Sequence, residues 1–284
     1  MISTFSIIAR DPVTGELGGA VQSKFLAAGS AVIWGKAGGG IIATQAMANL
    51  DFGEIGRAIL AKGYSAERVA KALLELDPEK EHRQFGIVDA NGGSYTYTGS
   101  SCFDYAGGIC GENFAAQGNI LVSEETVKAL AETFQNTKGT LARRLVLAMD
   151  TAQDAGGDRR GRQSSALMVF KEGGSYGGFN DLAIDLRVDD DPEPIKKLIH
   201  LLDLHELYFN KSTPEEIIDL KSDDIKKIQA KLAEIGYYKG DSDGVWSKPT
   251  EKALFDFCGW ENYEERFLTG SRIDKTVFAK LMEK

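Results

Sequence analysis

The sequence contains few cysteines, and their positions exclude a disulfide-stabilised scaffold. Its three cysteines, Cys102, Cys110 and Cys258, are too few and too widely spaced for a disulfide framework. No CxxC spacing occurs. We therefore interpret them as reduced thiols of a cytosolic protein.

Metal-binding patterns are also missing. The three histidines, His82, His200 and His205, show neither HExxH spacing nor any other metal-ligand spacing, and Ser-His-Asp catalysis has no support. The acidic run 189–191 with Glu193 offers oxygen ligands for a hard cation. We interpret it instead as a set of helix N-terminal acids, which the helix dipole favours. We expect no metal and no cofactor.

Long apolar runs are absent, and so is an excess of positive charge. No window approaches 18 apolar residues, which argues against a membrane span. The first residues have no basic stretch followed by an apolar run, so we expect no signal peptide and a cytoplasmic protein. The net charge of -9 argues against nucleic acid and anionic membranes as partners.

Turn and periodicity signals predict an α+β domain at residues 1–210. Strands and helix pairs alternate in blocks: strands from Thr4, two helices within 53–76, a hairpin around Asn91-Gly92, two helices within 124–152, further strands, and a closing helix 192–209. Such blocks favour two sheets between helical layers over a βαβ wound sheet. Many glycines and alanines in the first strands would let layers approach closely.

A small helical module is predicted at residues 221–284, after a linker at about 210–220. Thr213-Pro214-Glu215-Glu216 has the capping-box pattern and predicts that a helix restarts there. Helical stripes follow within 225–235, 250–258 and 274–282. The expected core of the module is apolar throughout: Ile228, Leu232, Ile235, Trp246, Leu254, Phe257 and Leu281.

This module resembles the peptidoglycan-binding-like domain. The similarity lies in the helix from Asp224 to Leu232, the turn Asp243-Gly244 and the helix that starts near Thr250. The resemblance implies a peptidoglycan fragment as a possible ligand. The alternative is that the module docks on the first domain or on a neighbouring subunit, since a core of this size is marginal alone and a fold does not specify a function.

Residues 4–209 resemble the family called domain of unknown function 1028. The matching runs are 4–7, 18–25, 43–46, 117–121, 156–164 and 185–190. That family is grouped with the N-terminal-nucleophile hydrolases, so the resemblance implies a four-layer αββα sandwich and hydrolysis of a C–N amide bond in a small or peptide-like substrate. In that chemistry the α-amino group of a leading Thr, Ser or Cys takes the proton of its own side chain.

The resemblance implies a catalytic group of Thr4, Ser23, Lys36 and Asp158. Thr4 would be the nucleophile, Lys36 would keep its amine neutral by charge repulsion, and the glycines around Gly39 would bring backbone donors to the oxyanion. Met1-Ile2-Ser3 precede Thr4, and we do not expect methionine removal before a bulky Ile2. Another cleavage would therefore have to free Thr4; otherwise Thr4 is an ordinary strand residue.

The glycine-rich segment 156–164 is the second candidate region. Arginine forks suit carboxylate or phosphate groups, and Asp158 could orient one of them. We therefore expect four substrate-binding residues here: Arg159, Arg162, Gln163 and Ser164. The alternative is a structural ion network or a subunit contact. We expect Thr4, Ser23, Lys36 and the loop 158–164 to line one cleft.

Two classes of function follow from the sequence. The first is an N-terminal-nucleophile hydrolase of a small amide. The second is a non-catalytic binding or assembly protein with an inactive hydrolase fold, or a peptidoglycan-fragment binder. In either class we expect a homo-oligomer.

Overall fold

The computed structural model describes residues 4–284, which form an α+β protein with three sheets and eight α-helices. The chain divides into two units, the first ending at Leu202 and the second covering Asp203–Lys284. The helices are α1 Asp51–Leu60, α2 Ala66–Leu76, α3 Glu125–Asn136, α4 Leu141–Asp154, α5 Pro194–Phe209, α6 Ser222–Glu234, α7 Lys248–Trp260 and α8 Lys275–Met282. None of these helices is long and apolar enough to cross a bilayer.

Ten strands of the first unit form two antiparallel sheets. They are β1 Thr4–Arg10, β2 Leu17–Ser23, β3 Ile33–Lys36, β4 Gly40–Ala46, β5 Arg83–Asp89, β6 Ser94–Thr98, β7 Gly107–Gly111, β8 Phe114–Asn119, β9 Ser164–Phe170 and β10 Leu182–Val188. The six-stranded sheet has the order β10-β9-β2-β1-β8-β7, and the four-stranded sheet has the order β3-β4-β5-β6. Every pairing in them is antiparallel, as the block order of the elements predicts for a chain that is not a βαβ wound sheet.

Side-chain alternation on β1 gives its sheet two apolar faces. Phe5 and Ile7 are fully buried in a cluster with residues of α3, α4 and α5, whereas Ile8 joins a second cluster with residues of β3, β4 and β5. Successive strand residues point to opposite faces, so one face of the six-stranded sheet packs on helices and the other on the four-stranded sheet. A third cluster packs the four-stranded sheet against α1 and α2.

Two glycines in β2 bring these layers close, as the small residues of this strand predict. A Cβ at Gly18 would lie 2.8 Å from Leu145 Cδ1 of α4, and one at Gly19 would lie 2.9 Å from Ile8 Cγ2. Neither distance is compatible with a side chain in place. The absence of a Cβ therefore sets how closely α4 and the inter-sheet core approach the strand.

Two strands of the first unit were not predicted from the sequence. β7 and β8 are rich in Gly and Ala, which have low strand propensity, and their periodicity is correspondingly weak. Their position comes from pairing, since β8 lies beside β1 in the centre of the six-stranded sheet. β8, which was not predicted, is the strand that carries Gln117 and Asn119.

The second unit contains the three predicted helices α6, α7 and α8 around one apolar cluster. Five of the seven expected core residues are fully buried, and Ile235 and Trp246 are half-buried against them. Gln229, also buried, accepts a hydrogen bond from the Gly244 amide (2.9 Å) and donates to Asp243 Oδ1 (3.0 Å). One glutamine therefore holds the Asp243-Gly244 turn, where Gly244 has a φ of 79°.

The predicted helix restart at Thr213 is wrong. The capping box there is formed, with the Thr213 amide donating to Glu216, but it begins only a three-residue 3-10 turn, Pro214–Glu216. The chain then continues as β11 Ile217–Asp219, which pairs with β12 Arg272–Asp274. Strand pairing within the second unit overrides the local helix signal, so much of the segment 210–220 is ordered structure of that unit.

Candidate functional site

Thr4 lies in a row of four polar residues that crosses the six-stranded sheet. Its Cα partners are Asn119 on β8 and Ser23 on β2, and Ser23 in turn is opposite Ser164 on β9. All four residues are buried. The row lies at the end of the sheet where β1 and β9 begin and β2 and β8 end. The loops that follow β2 and β8 and the loop that precedes β9 therefore converge there.

The Thr4 hydroxyl donates to the Ser23 hydroxyl across 3.2 Å. The Thr4 carbonyl accepts a hydrogen bond from Gln45 Nε2 of the neighbouring sheet at 3.3 Å. The α-amino nitrogen of Thr4 forms the peptide bond to Ser3 in this sequence. Cleavage after Ser3, which only one of the two interpretations of Thr4 requires, concerns a segment outside the described residues.

A network of buried amide side chains supports Thr4 from between the two sheets. Gln84 Oε1 accepts from Gln45 Nε2 and from Asn119 Nδ2, each at 2.8 Å. Ser6 joins β1 to both sides, because its hydroxyl donates to Gln45 Oε1 and accepts from Gln117 Nε2, each at 2.7 Å. The network ties β1, which carries Thr4, and β8 to β4 and β5 of the other sheet.

Gln117 is packed with unusual tightness. A Cβ at Gly86 would lie 2.2 Å from its Oε1, so only glycine fits opposite it on β5. Gln117 Oε1 is buried without a hydrogen-bond partner among residues 4–284. Gln45, Gln117 and Asn119 lie within the runs that match the family, but no role was predicted for them. Their signal is a long amide side chain inside a strand that is otherwise apolar and fully buried.

Asp158 organises the loop next to this row. Its Oδ2 accepts from the Lys24 amide (2.9 Å) and from Arg160 Nη2 (3.0 Å), and its Oδ1 accepts from the Arg160 amide (2.9 Å). Asp158 also bridges to Leu121, two residues beyond the partner of Thr4. Asp158 is therefore near the row through β2 and β8, and its carboxylate is committed to holding the loop.

The predicted substrate-binding residues of the loop differ in their partners. Arg162 pairs with Glu193, and Gln163 Nε2 donates to Asp190 Oδ1 at 3.1 Å. The Ser164 hydroxyl donates to the Phe25 carbonyl at 2.6 Å and accepts from the Ala28 amide. Arg162, Gln163 and Ser164 thus take part in structural contacts of the kind expected under the alternative interpretation.

Arg159 is placed differently from its neighbours. Its Nη2 donates to the carbonyls of Asp104 (2.8 Å) and Leu121 (3.1 Å). Its backbone amide donates to the Ile120 carbonyl at 3.0 Å. Its guanidinium therefore lies over the chain that leaves β8, and its partners among residues 4–284 are neutral.

The structure does not bring Lys36 or Gly39 to Thr4. Lys36 pairs with Gly40 at the start of β4, whereas Gln45, which contacts Thr4, is five residues further along that strand. At about 3.3 Å per strand residue the two places are roughly 16 Å apart. The strand register therefore corrects the expectation of a single cleft: Lys36 and the Gly39 turn lie at the opposite end, beside Arg57, Lys62 and Phe170.

Asp191, in the acidic run before α5, makes hydrogen bonds at the start of that helix. Asp191 Oδ1 accepts from the Glu193 amide at 2.8 Å, and its Oδ2 accepts from Lys197 Nζ at 3.1 Å. These two hydrogen bonds lower the pKa of Asp191 below its usual value. Among residues 4–284, no group of three or more His, Cys, Asp or Glu side chains is arranged to hold a metal ion.

Comparisons with known proteins agree with the division into two units. Residues 4–198 match the family model "Family of unknown function (DUF1028)", and residues 208–281 match the model "Putative peptidoglycan binding domain". No curated protein matches the chain.

A solved structure supports the same assignment. The crystal structure of protein SPO2555 from Silicibacter pomeroyi, titled as a DUF1028 protein, has 29% sequence identity and a TM-score of 0.65. The similarity covers 72% of this chain and 90% of that one. Because the family model spans residues 4–198 of a 284-residue sequence, the chain belongs to the DUF1028 family. It carries a peptidoglycan-binding-like domain C-terminal to that region.

Proposed function

We propose that the first unit is an N-terminal-nucleophile-type hydrolase domain, a four-layer αββα sandwich that acts on a C–N amide bond of a small or peptide-like substrate. The three apolar clusters support this architecture, because one lies between the sheets and the other two lie under α3 and α4 and under α1 and α2. The family resemblance of residues 4–209 supplies the class of chemistry.

The observation that carries the proposal is the hydroxyl pair of Thr4 and Ser23, 3.2 Å apart at the end of the central strand. Once residues 1–3 are removed, the free α-amino group of Thr4 takes the hydroxyl proton, and the oxygen attacks the amide carbonyl. The amine leaves with that proton, and water then hydrolyses the Thr4 ester to the acid. Ser23 orients the Thr4 hydroxyl, and Gln45 fixes the Thr4 carbonyl.

Lys36 has no role in this proposed mechanism. At roughly 16 Å along the sheet, its charge would be screened over more than a Debye length of about 8 Å. Lys24 follows Ser23, and Arg159 lies on the loop before β9. Both are cations at the end of the sheet that carries the Thr4 row, and we assign the electrostatic role to that side.

Intact-mass measurement combined with an amide panel tests this function. We expect the active species to lack residues 1–3 and to release amine from at least one small amide. Thr4→Ala should lower the rate of amide hydrolysis at least ~10³-fold, because it removes the nucleophile and the residues that act with the nucleophile cannot compensate for its loss. Thr140→Ala, which alters a helix cap on α4, is the control for a general loss of fold. Full turnover by a chain that retains residues 1–3, or by Thr4→Ala, would contradict the proposal. Complete processing with no turnover would favour the inactive-fold alternative.

A second candidate function belongs to the second unit, which we propose binds a peptidoglycan fragment. The match of residues 208–281 to the peptidoglycan-binding model favours it. A surface depression between the end of α6 and the start of α7 is lined by Tyr237, Lys239 and Lys252, of which Lys252 is paired with Asp256. It offers an aromatic side chain beside the Lys239 ammonium for a carboxylate-bearing stem peptide.

Co-sedimentation of the full-length chain with purified peptidoglycan tests this candidate, with chitin as the glycan control. We expect retention on peptidoglycan alone, and weaker retention for Lys239→Gln than for Lys227→Gln, an exposed lysine on α6 away from the depression. Equal retention on chitin and peptidoglycan, or none on either, would argue for a scaffold role.

A further inference from the structure

The chain that leaves β8 carries an exposed apolar surface next to Thr4. Phe103 and Val122 are 55% and 54% exposed, a high value for large apolar side chains. The Ile120 amide donates to the Phe103 carbonyl at 3.0 Å, and Leu121 exchanges hydrogen bonds with Tyr105. Phe103 is thereby held against the residues that follow Asn119, the β8 partner of Thr4. We call Phe103, Val122 and Arg159 the β8 shelf.

Arg159 gives this shelf a positive charge that no carboxylate of residues 4–284 pairs with. Its Nη2 rests on the Asp104 and Leu121 carbonyls, and no hydrogen bond from Nε or Nη1 to any of residues 4–284 accompanies them. The two neighbouring arginines differ, since Arg160 pairs with Asp158 and Arg162 with Glu193. A guanidinium has five donors in a planar fork, so the remaining edge of Arg159 can take an anionic group.

The shelf is held against the loop that precedes β9. The Val122 amide donates to the Gly157 carbonyl at 3.1 Å, and a Cβ at Gly156 would lie 2.9 Å from Val122 Cβ. The glycines of this loop therefore let it pack directly under Val122. An apolar surface and a cation are therefore held side by side at the end of the sheet where Thr4 lies.

We propose that the substrate of the Thr4 site is an amide that carries an apolar group beside an anionic group, as in the N-acyl amino acid class. The apolar group packs on Phe103 and Val122, and the anionic group binds Arg159. This inference rests on the proposed function of Thr4, and it names the substrate class of that same site.

Binding and hydrolysis of three matched probes by the full-length chain test the inference. N-Hexanoylglycine has both features, N-hexanoylglycinamide lacks the carboxylate, and N-acetylglycine lacks the long apolar group. Calorimetry measures affinity, and the release of glycine or glycinamide measures hydrolysis. We expect N-hexanoylglycine to bind at least ~10-fold more tightly than either of the others, as a charge-assisted hydrogen bond or several buried methylenes would give.

Two variants assign the two halves of the preference. Arg159→Gln should remove the preference for the carboxylate, and Phe103→Ala should remove the preference for the hexanoyl group. The matched controls are Arg68→Gln on α2 and Phe179→Ala, which is 92% exposed on the loop at the other end of β9. Both controls should bind like the unaltered chain.

The failures of the two proposals are distinguishable. Binding with these preferences but without hydrolysis supports the β8 shelf and removes the hydrolase. Hydrolysis of amides without these preferences removes the shelf proposal and leaves the hydrolase. Equal or undetectable binding of all three probes, preferences that survive in both variants, or a Phe103→Ala effect confined to the oligomeric state overturns the inference.

Discussion

The amide network between the sheets makes Gln84 the most informative single position in the first unit. Its Oε1 accepts from Gln45 and Asn119, each at 2.8 Å, and its Nε2 donates to the Gly118 carbonyl at 2.7 Å. The side chain is fully buried. Gln84 Nε2 also donates to Thr98 Oγ1 and to the Gly107 carbonyl. Gln84→Leu keeps a similar volume and leaves two donors and three acceptors without this partner.

The expected cost follows from the desolvation of those groups. Each buried polar group left without a partner costs about 1–3 kcal/mol. Gln45 Nε2 keeps its bond to the Thr4 carbonyl, and Thr98 and Gly107 are only half-buried. The groups of Asn119 and Gly118 remain, which places the sum at about 2–6 kcal/mol. A typical domain has only 5–15 kcal/mol of stability, so Gln84→Leu should remove a large part of it. Gln135→Leu, at an exposed position of α3, should change stability by less than ~0.5 kcal/mol.

Urea unfolding of the full-length chain, monitored by hydrogen exchange of the backbone amides in β1 and β8, measures this loss of stability for the first unit alone. With an m value of about 1–3 kcal/mol/M, the midpoint should fall by roughly 2 M. A loss below ~1 kcal/mol at an unchanged m value would refute the argument, because the network would then contribute no more than a surface contact.

Two further predictions concern pH and packing. Asp77 bonds to Arg83 at 2.8 Å, which together with weaker hydrogen bonds lowers the pKa of Asp77 to about 2; its stabilising contribution of up to ~2 kcal/mol is complete above the unfolded pKa near 3.9 and is lost as pH falls through about 2. Asp77→Asn should therefore flatten stability measured between pH 5 and 2, and an unchanged slope would exclude Asp77 as its source. Gly18→Ala should cost ~1–3 kcal/mol because its Cβ meets Leu145, whereas Gly259→Ala in α7, with open space around it, should stabilise by up to ~1 kcal/mol. Thermal unfolding checks both, and a stabilised Gly18→Ala would show that α4 can shift.

Local sequence signals were sufficient for most elements of the first unit. The Asn91-Gly92 turn is formed as predicted, with Gly92 at a φ of 88° and the two strands β5 and β6 beside it. Ser65 caps α2 by accepting from the Arg68 amide. These features depend on a few neighbouring residues, so periodicity and turn chemistry are enough to predict them.

The local signal failed where the chain needs a distant partner. β7 and β8 have strand structure because they pair next to β1, and β11 has it because β12 lies 55 residues later in the chain. Glycine and alanine in β8 hold no strong strand preference. Only hydrogen bonding to β1 and β7 in the assembled sheet compensates for this weak strand preference.

The candidate site shows the same division more sharply. The sequence by itself determined that Thr4 begins a strand and that the glycine-rich loop 156–164 lies between a helix and a strand, because strand starts and glycine-rich turns are local properties. Only the tertiary structure decided which strand ends meet. The register of β3 and β4 places Lys36 at the far end of its sheet, while the antiparallel pairings of β1 bring Ser23 and Asn119 to Thr4. Register depends on contacts between residues far apart in sequence, and a shift of a few positions along a strand separates two side chains by more than any single interaction can span.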